Sequence, residues 1–198
     1  MQKPFSQACE NNKAPILSVL EQAFAEAESV LEIGSGTGQH AVWFAGHLPQ
    51  LLWQPSDQEV NLAGMQLWFD EASLANLLPP VVLDVTQPHW PVRQTDAIFT
   101  ANTLHIMAWD AVQAFFARVP EVLVPGGKLC VYGPFNYKGA YTSESNARFD
   151  QWLAEQCPVS AIRDFDQVNR LAEEAGLSLI ADHAMPANNR LLEWQANL

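Results

Sequence analysis

Val30-Leu31-Glu32-Ile33 is a largely apolar run that ends in three alternate glycines, Gly34, Gly36 and Gly38, separated by Ser35 and Thr37 and followed by a helical pattern. Glycine at such positions admits positive φ and lets a ligand touch the backbone. The dinucleotide fingerprint G-x-G-x-x-G needs its third glycine where this chain has Gln39, so the spacing is of another kind. Asp57 follows the second strand, 19 residues after Gly38, where a carboxylate can accept both hydroxyls of a ribose. Asp84 and Val85 end the third strand. Each signal alone has a plainer explanation: a tight turn for the glycines, turn-forming or helix-capping for the aspartates. Together they fall at one edge of a sheet, beyond the carboxyl ends of the strands, where open α/β folds bind ligands.

Two further groups of side chains suit an acceptor of chemistry. Asn102 and His105 follow the fourth strand, and His105 titrates near neutrality, so it can take a proton from a hydroxyl, thiol or amine. A histidine beside Leu104, Ile106 and Trp109 is equally readable as a hydrogen-bonded structural residue. After the fifth strand, Tyr132, Phe135, Asn136, Tyr141 and Asn146 span a long stretch read as a loop that can roof a pocket or simply lie on the surface. Asn188, with Asn189 in the closing turn, is placed with these contacts, although turn chemistry alone accounts for the pair. His40 and His47 lie seven apart with no carboxylate to complete a ligand set, so no metal is expected.

The elements that must position these residues follow from periodicity. Residues 14–25 carry Ile16, Val19, Leu20, Ala23 and Phe24 on one helical face. Strands are expected at 29–33, 51–54, 81–83, 96–101 and 127–132, with helices at 39–48, 60–75 and 109–123 between them. Such alternation calls for a mostly parallel sheet with right-handed crossovers and helices on both faces. Two final strand-like runs, 177–184 and 191–196, are separated by six residues, too few for a crossover helix, so a hairpin closes the chain and its last strand is antiparallel.

Bulk properties narrow the partners. The 198 residues, 48% hydrophobic and 16% charged, suit one globular domain over 1–198. The net charge of −12, with 10 Lys and Arg against 22 Asp and Glu, argues against nucleic acid, whose phosphates need clustered cations. Cys9, Cys130 and Cys157 are odd in number and widely spaced, which fits a reducing cytoplasm. No segment approaches the roughly 18 apolar residues of a membrane span.

Five alternating strands and a terminal hairpin resemble the class I S-adenosylmethionine-dependent methyltransferase fold over nearly the whole chain. That resemblance implies a Rossmann-like seven-stranded sheet of order 3-2-1-4-5-7-6. It places S-adenosylmethionine on the loop of Gly34, Ser35, Gly36 and Gly38, with Glu32 supporting the loop, Asp57 on the ribose, Asp84 and Val85 on the adenine, and Asn102 facing both cofactor and acceptor. The Asn/Asp-Pro-Pro-Tyr/Phe motif of amino-methyltransferases of adenine or glutamine is missing after the fourth strand, which disfavours that acceptor class. Methyl transfer asks mainly for alignment and exclusion of water, worth about 7 to 11 kcal/mol, so a base is optional.

The likeness is closer still at Glu10-Asn11-Asn12-Lys13, Gly36-Thr37-Gly38-Gln39-His40, Trp53-Gln54-Pro55-Ser56-Asp57, Tyr132-Gly133-Pro134-Phe135, Ser145-Asn146 and Met185-Pro186-Ala187-Asn188-Asn189. These segments resemble the family that includes the eukaryotic methyltransferase-like protein 26, and they add Asn12 and Lys13 to the expected cofactor contacts. Gly34 departs from that family, where alanine is common. The expected activity is methyl transfer to a small molecule or a protein. The competing expectations are a non-catalytic module that keeps the cofactor pocket and an NAD-dependent oxidoreductase.

Overall fold

The computed structural model describes residues 2–197. Strand β1 (Ser29–Ile33) lies inside a seven-stranded sheet, pairing in parallel with β2 (Leu52–Asp57) on one side and β4 (Thr95–Ala101) on the other. β3 (Val81–Val82) extends the sheet beyond β2, and β5 (Leu123–Gly133) joins β4. β6 (Phe135–Asn136) and β7 (Arg163–Asp164) form a separate two-stranded pairing. The closing hairpin consists of β8 (Leu177–Met185) and β9 (Asn189–Ala196), with β9 antiparallel to both β5 and β8. The sheet order is β3-β2-β1-β4-β5-β9-β8. With the short β6 and β7 set aside, this is the expected 3-2-1-4-5-7-6 arrangement, hairpin included.

Alternation along the strands sorts side chains onto two faces. Val30, Ala97, Phe99, Cys130 and Tyr132 face one layer, while Leu31, Ile33, Ile98, Leu129 and Val131 face the other. The first layer is completed by α1 (Gln7–Ala23), α2 (Gln39–His47) and α3 (Glu59–Ala72), which bury Ile16, Leu20, Phe44, Met65 and Phe69. The second is completed by α4 (Trp109–Val122) and α6 (Phe165–Glu174), through Val112, Phe115, Phe116, Val119, Val168 and Ala172. Phe44 and Phe99 meet edge to face at 5.3 Å, and each such buried ring contributes on the order of 1.5–3 kcal/mol.

Two expectations need correction. The first helix begins at Gln7 rather than near 14, because Ser6 caps it, its Oγ accepting from the Cys9 N–H at 3.4 Å. Pro15 resembles a first-turn proline, yet the helix runs through it. The stretch read as a long loop after β5 holds a helix, α5 (Glu144–Gln156), capped by Ser143 and belonging to neither sheet-face cluster. It packs instead against the segment that follows β4.

Candidate functional site

Beyond the carboxyl ends of the parallel strands lies a cleft of about 920 Å³, within the range of small-molecule sites. Gly34, Ser35, Gly36, Asp57, Asp84, Val85, Asn102 and His105 all line it. Four separate loops thus converge on one cavity, as the sheet order requires.

The glycine loop is held by β2. The Gly34 and Ser35 N–H groups both donate to Ser56 O at 3.0 Å, and Gly38 N–H donates back to Ser35 O at 2.9 Å. Gly34, Gly36 and Gly38 have φ of 72°, 56° and 85°, a region that strains residues with a Cβ. Their tasks differ. A Cβ on Gly36 would meet nothing within 4 Å, so this glycine leaves the loop apex open to the cleft. A Cβ on Gly38 would stand 2.7 Å from Met65 Cγ, so Gly38 lets α3 close against the start of α2 and does not line the cavity.

Asp57 is fixed on both carboxylate oxygens. Oδ2 accepts from the Gly36 N–H at 2.6 Å, and Oδ1 accepts from the Gln58 N–H at 2.7 Å and Asn61 Nδ2 at 2.8 Å. Asp84 Oδ1 accepts from the Thr86 N–H and Oγ1 at 2.9 and 2.7 Å, while its Oδ2 has no protein partner among the described residues. Glu32 sits under the loop, 2% exposed, and accepts from Trp53 Nε1 at 2.9 Å. Burial pushes its carboxyl up to about 7, against the hydrogen bonds of Trp53 and Ser35. Glu32 does not line the cleft; it braces the loop from below.

Asn12 and Lys13 also lie outside the cavity. Asn12 Oδ1 is 2.6 Å from His40 Nε2, and Lys13 pairs with Glu10 while lying 4.2 Å over the Trp43 ring. Gln39 completes the fastening, accepting from the Ser6 N–H at 2.5 Å and donating to Glu10 at 2.8 Å. These polar residues pin α1 to the start of α2. Within the same segment it is Ser6, Ala8 and Cys9 that reach the cleft, together with Thr37 and His40. Burial holds His40 neutral, pulling it down to about 4.

At the other end, Asn102 adopts φ 59°, a left-handed conformation next to the cavity, with its N–H bonded to Tyr132 O at 2.9 Å. Strain of this kind clusters at binding sites. His105 is 6% exposed and neither ring nitrogen has a protein partner among the described residues; burial, helped by the Arg163 charge, pulls it down to about 4. Its ring stands edge-on to Phe149 at 5.5 Å.

The wall facing His105 is α5, which supplies Phe149, Trp152, Leu153 and Gln156, continued by Cys157 and Ser160. The residues expected to contact an acceptor, Tyr132, Phe135, Asn136, Tyr141, Asn146 and Asn188, do not line this cavity. Tyr132 and Phe135 are core, 3% and 1% exposed, because the strand pleat turns them inward. Asn136 is taken into β6. Tyr141 is exposed and donates to Asp150 at 2.7 Å. Asn146 is spent on α5's first turn and on Asn188 O. Asn188 borders a separate hollow of about 400 Å³ with Tyr137 and Arg190. A sequence signal for α5 does exist: Ser143 as a cap, then Phe149, Trp152 and Leu153 at helical spacing.

No group of three or more His, Cys, Asp or Glu placed to hold a metal ion occurs among the described residues. No helix among them is long and apolar enough to cross a membrane.

Solved structures share this architecture. An O-methyltransferase family protein from Burkholderia thailandensis superposes with a TM-score of 0.83 at 16% identity, over 93% of this chain and 56% of that one. An O-methyltransferase family 2 protein from Planctomyces limnophilus, in complex with apigenin, gives 0.82 at 15% identity, over 95% and 58%. Human N-acetylserotonin methyltransferase, in complex with SAM, gives 0.81 at 14% identity, over 97% and 53%. This chain spans a little over half the length of each, and at these identities the likeness is one of fold: the Rossmann-like sheet of class I methyltransferases. The family model described as "Protein of unknown function (DUF938)" matches residues 3–196, and the chain belongs to that family.

Proposed function

We propose that this protein transfers a methyl group from S-adenosylmethionine to a small-molecule acceptor. The observation that carries the reading is the single cleft in which the Gly36 apex, tied to Asp57, stands at one end and the unpartnered His105 at the other. The residues present fit the cofactor. Gly36 leaves open space at the loop apex, Asp57 offers a pre-positioned carboxylate for ribose hydroxyls, and Asp84 keeps one oxygen free for an adenine amino group. When bound, S-adenosylmethionine would supply an electrophilic methyl for the acceptor's lone pair, neutral S-adenosylhomocysteine being the leaving group and the acceptor's proton passing by way of His105 to solvent.

The protein's own part is alignment and exclusion of water. Asn102 lines the same cleft and orients both partners. His105, neutral at physiological pH, holds the acceptor's proton by accepting it in a hydrogen bond at a free ring nitrogen. The SAM bound in one structural neighbour supports the cofactor, as does the resemblance to the family that includes methyltransferase-like protein 26, and the apigenin bound in another supports a small-molecule acceptor.

Calorimetry with S-adenosylhomocysteine and with NAD, followed by tritiated methyl transfer into fractionated cell extract, tests the proposal. Binding of the first ligand and label in a small-molecule fraction is the expected result. Tight NAD binding alone would sink it in favour of an oxidoreductase. Cofactor binding with no label in any fraction would favour a non-catalytic module.

A further inference from the structure

The two halves of the cleft differ in chemistry. The carboxylates that line it, Asp57 at the end of β2 and Asp84 after β3, lie to one side of β1, and among the described residues no Lys or Arg side chain lines it. On the other side of β1 the segment after β4 contributes Ile106 and Met107, and α5 contributes Phe149, Trp152 and Leu153. The Phe149 and Trp152 rings stack at 5.8 Å and 16°. Trp152 and Ile106 remain 51% and 59% exposed, so two large apolar side chains face water at the rim of a cavity.

This half is held in shape by bonds between its two walls. Ala161 N–H donates to His105 O at 3.0 Å, Ser160 Oγ to Ile106 O at 2.9 Å, and Arg163 Nε to Leu104 O at 3.0 Å. Arg163 is thereby engaged with backbone carbonyls behind the lining; its charge is felt at His105, but its side chain does not border the cavity. Among the described residues, His105 alone is buried, polar and without a partner for its side chain there.

We infer that this lobe binds a flat, uncharged aromatic molecule bearing a hydroxyl, its ring laid against Phe149 and Trp152 and its hydroxyl donating to a ring nitrogen of His105. The role of that molecule as methyl acceptor rests on the proposed function; its binding does not. An ionised ligand would lose water here without a charged side chain in the lining to pair with directly. A flat ring instead gains stacking contacts with the two aromatic side chains. A hydroxyl satisfies the one orphan acceptor in the lobe, which burial keeps unprotonated at neutral pH.

The test is calorimetry on the full chain with 2-naphthol, its carboxylated analogue 6-hydroxy-2-naphthoate, and naphthalene as probes, S-adenosylhomocysteine being titrated separately. We expect 2-naphthol to bind at least tenfold more tightly than either analogue. Trp152→Ala, at a half-exposed position, should weaken 2-naphthol at least tenfold and move the S-adenosylhomocysteine affinity less than twofold. His105→Ala should abolish the preference for 2-naphthol over naphthalene, with circular dichroism confirming that both variants fold. Equal binding of the naphthoate, or 2-naphthol binding indifferent to Trp152→Ala, would overturn the inference, as would no 2-naphthol binding at all. If 2-naphthol behaves as expected and S-adenosylhomocysteine does not bind, the lobe stands and the methyl-transfer reading falls.

Discussion

Asp57 Oδ2 accepts a hydrogen bond from the Gly36 backbone N–H at 2.6 Å, which makes the carboxylate at the end of β2 and the apex of the glycine loop one mechanical unit. Asp57→Ala therefore removes both the proposed ribose acceptor and the anchor of the loop. Hydrogen bonds to charged groups contribute about 1.5–3 kcal/mol, so S-adenosylhomocysteine affinity should fall roughly 10- to 100-fold. Asp57→Asn, which keeps one acceptor oxygen, should fall between. Titration calorimetry reads both, and an unchanged affinity for the alanine variant would remove Asp57 from the cofactor site.

Gly34 and Thr103 are matched to each other. A Cβ on Gly34 would stand 2.5 Å from Thr103 Cγ2, and the residue already has φ 72°. Gly34→Ala should cost about 1–3 kcal/mol in urea unfolding, part from overpacking and part from the left-handed backbone. Adding Thr103→Ser removes the offending methyl while keeping the hydroxyl that bonds Thr100 at 2.5 Å. The double variant should regain the steric share and retain a deficit of about 1 kcal/mol. A double variant no more stable than Gly34→Ala would show that the contact does not set the cost.

Glu32 gives stability an unusual pH dependence. Its carboxyl titrates at about 7 when folded, against 4.5 as its ordinary value. Between these values the folded chain keeps a proton that the unfolded chain releases, so stability falls as pH rises through that window. The stabilisation relative to high pH is fully present below pH 4.5 and is lost by about pH 7, on the order of 3 kcal/mol. His40 acts in the opposite sense: lowered from 6.5 to about 4, it costs stability as pH falls through that window. Glu32→Gln should become more stable relative to the parent as pH is raised from 5 to 8, with the acid limb unchanged. Parallel urea melts across pH that show a constant difference would refute this.

The strand alternation that puts Val30 and Leu31 on opposite faces, the turn demanded by three alternate glycines, and the closing hairpin are legible from neighbouring residues. They depend on side-chain period and on allowed φ, properties that operate within a few residues. Asp57 and Asp84 were legible for a related reason, because the carboxyl ends of parallel strands share one rim once the strand order is known.

The partition of roles among the polar residues was decided by packing. Asn12 and Lys13 read as ligands, yet the docking of α1 on α2 directs them to His40, Glu10 and Trp43. Tyr132 and Phe135 read as pocket wall, but the register of β5 with β4 and β9 and the pairing of β6 bury them. The cleft beside His105 is instead walled by Phe149 and Trp152, more than forty residues further along the chain. Which helix face turns toward a cavity is set by contacts between segments distant in sequence. Composition and period report that α5 has an apolar stripe; only the folded chain determines what that stripe faces.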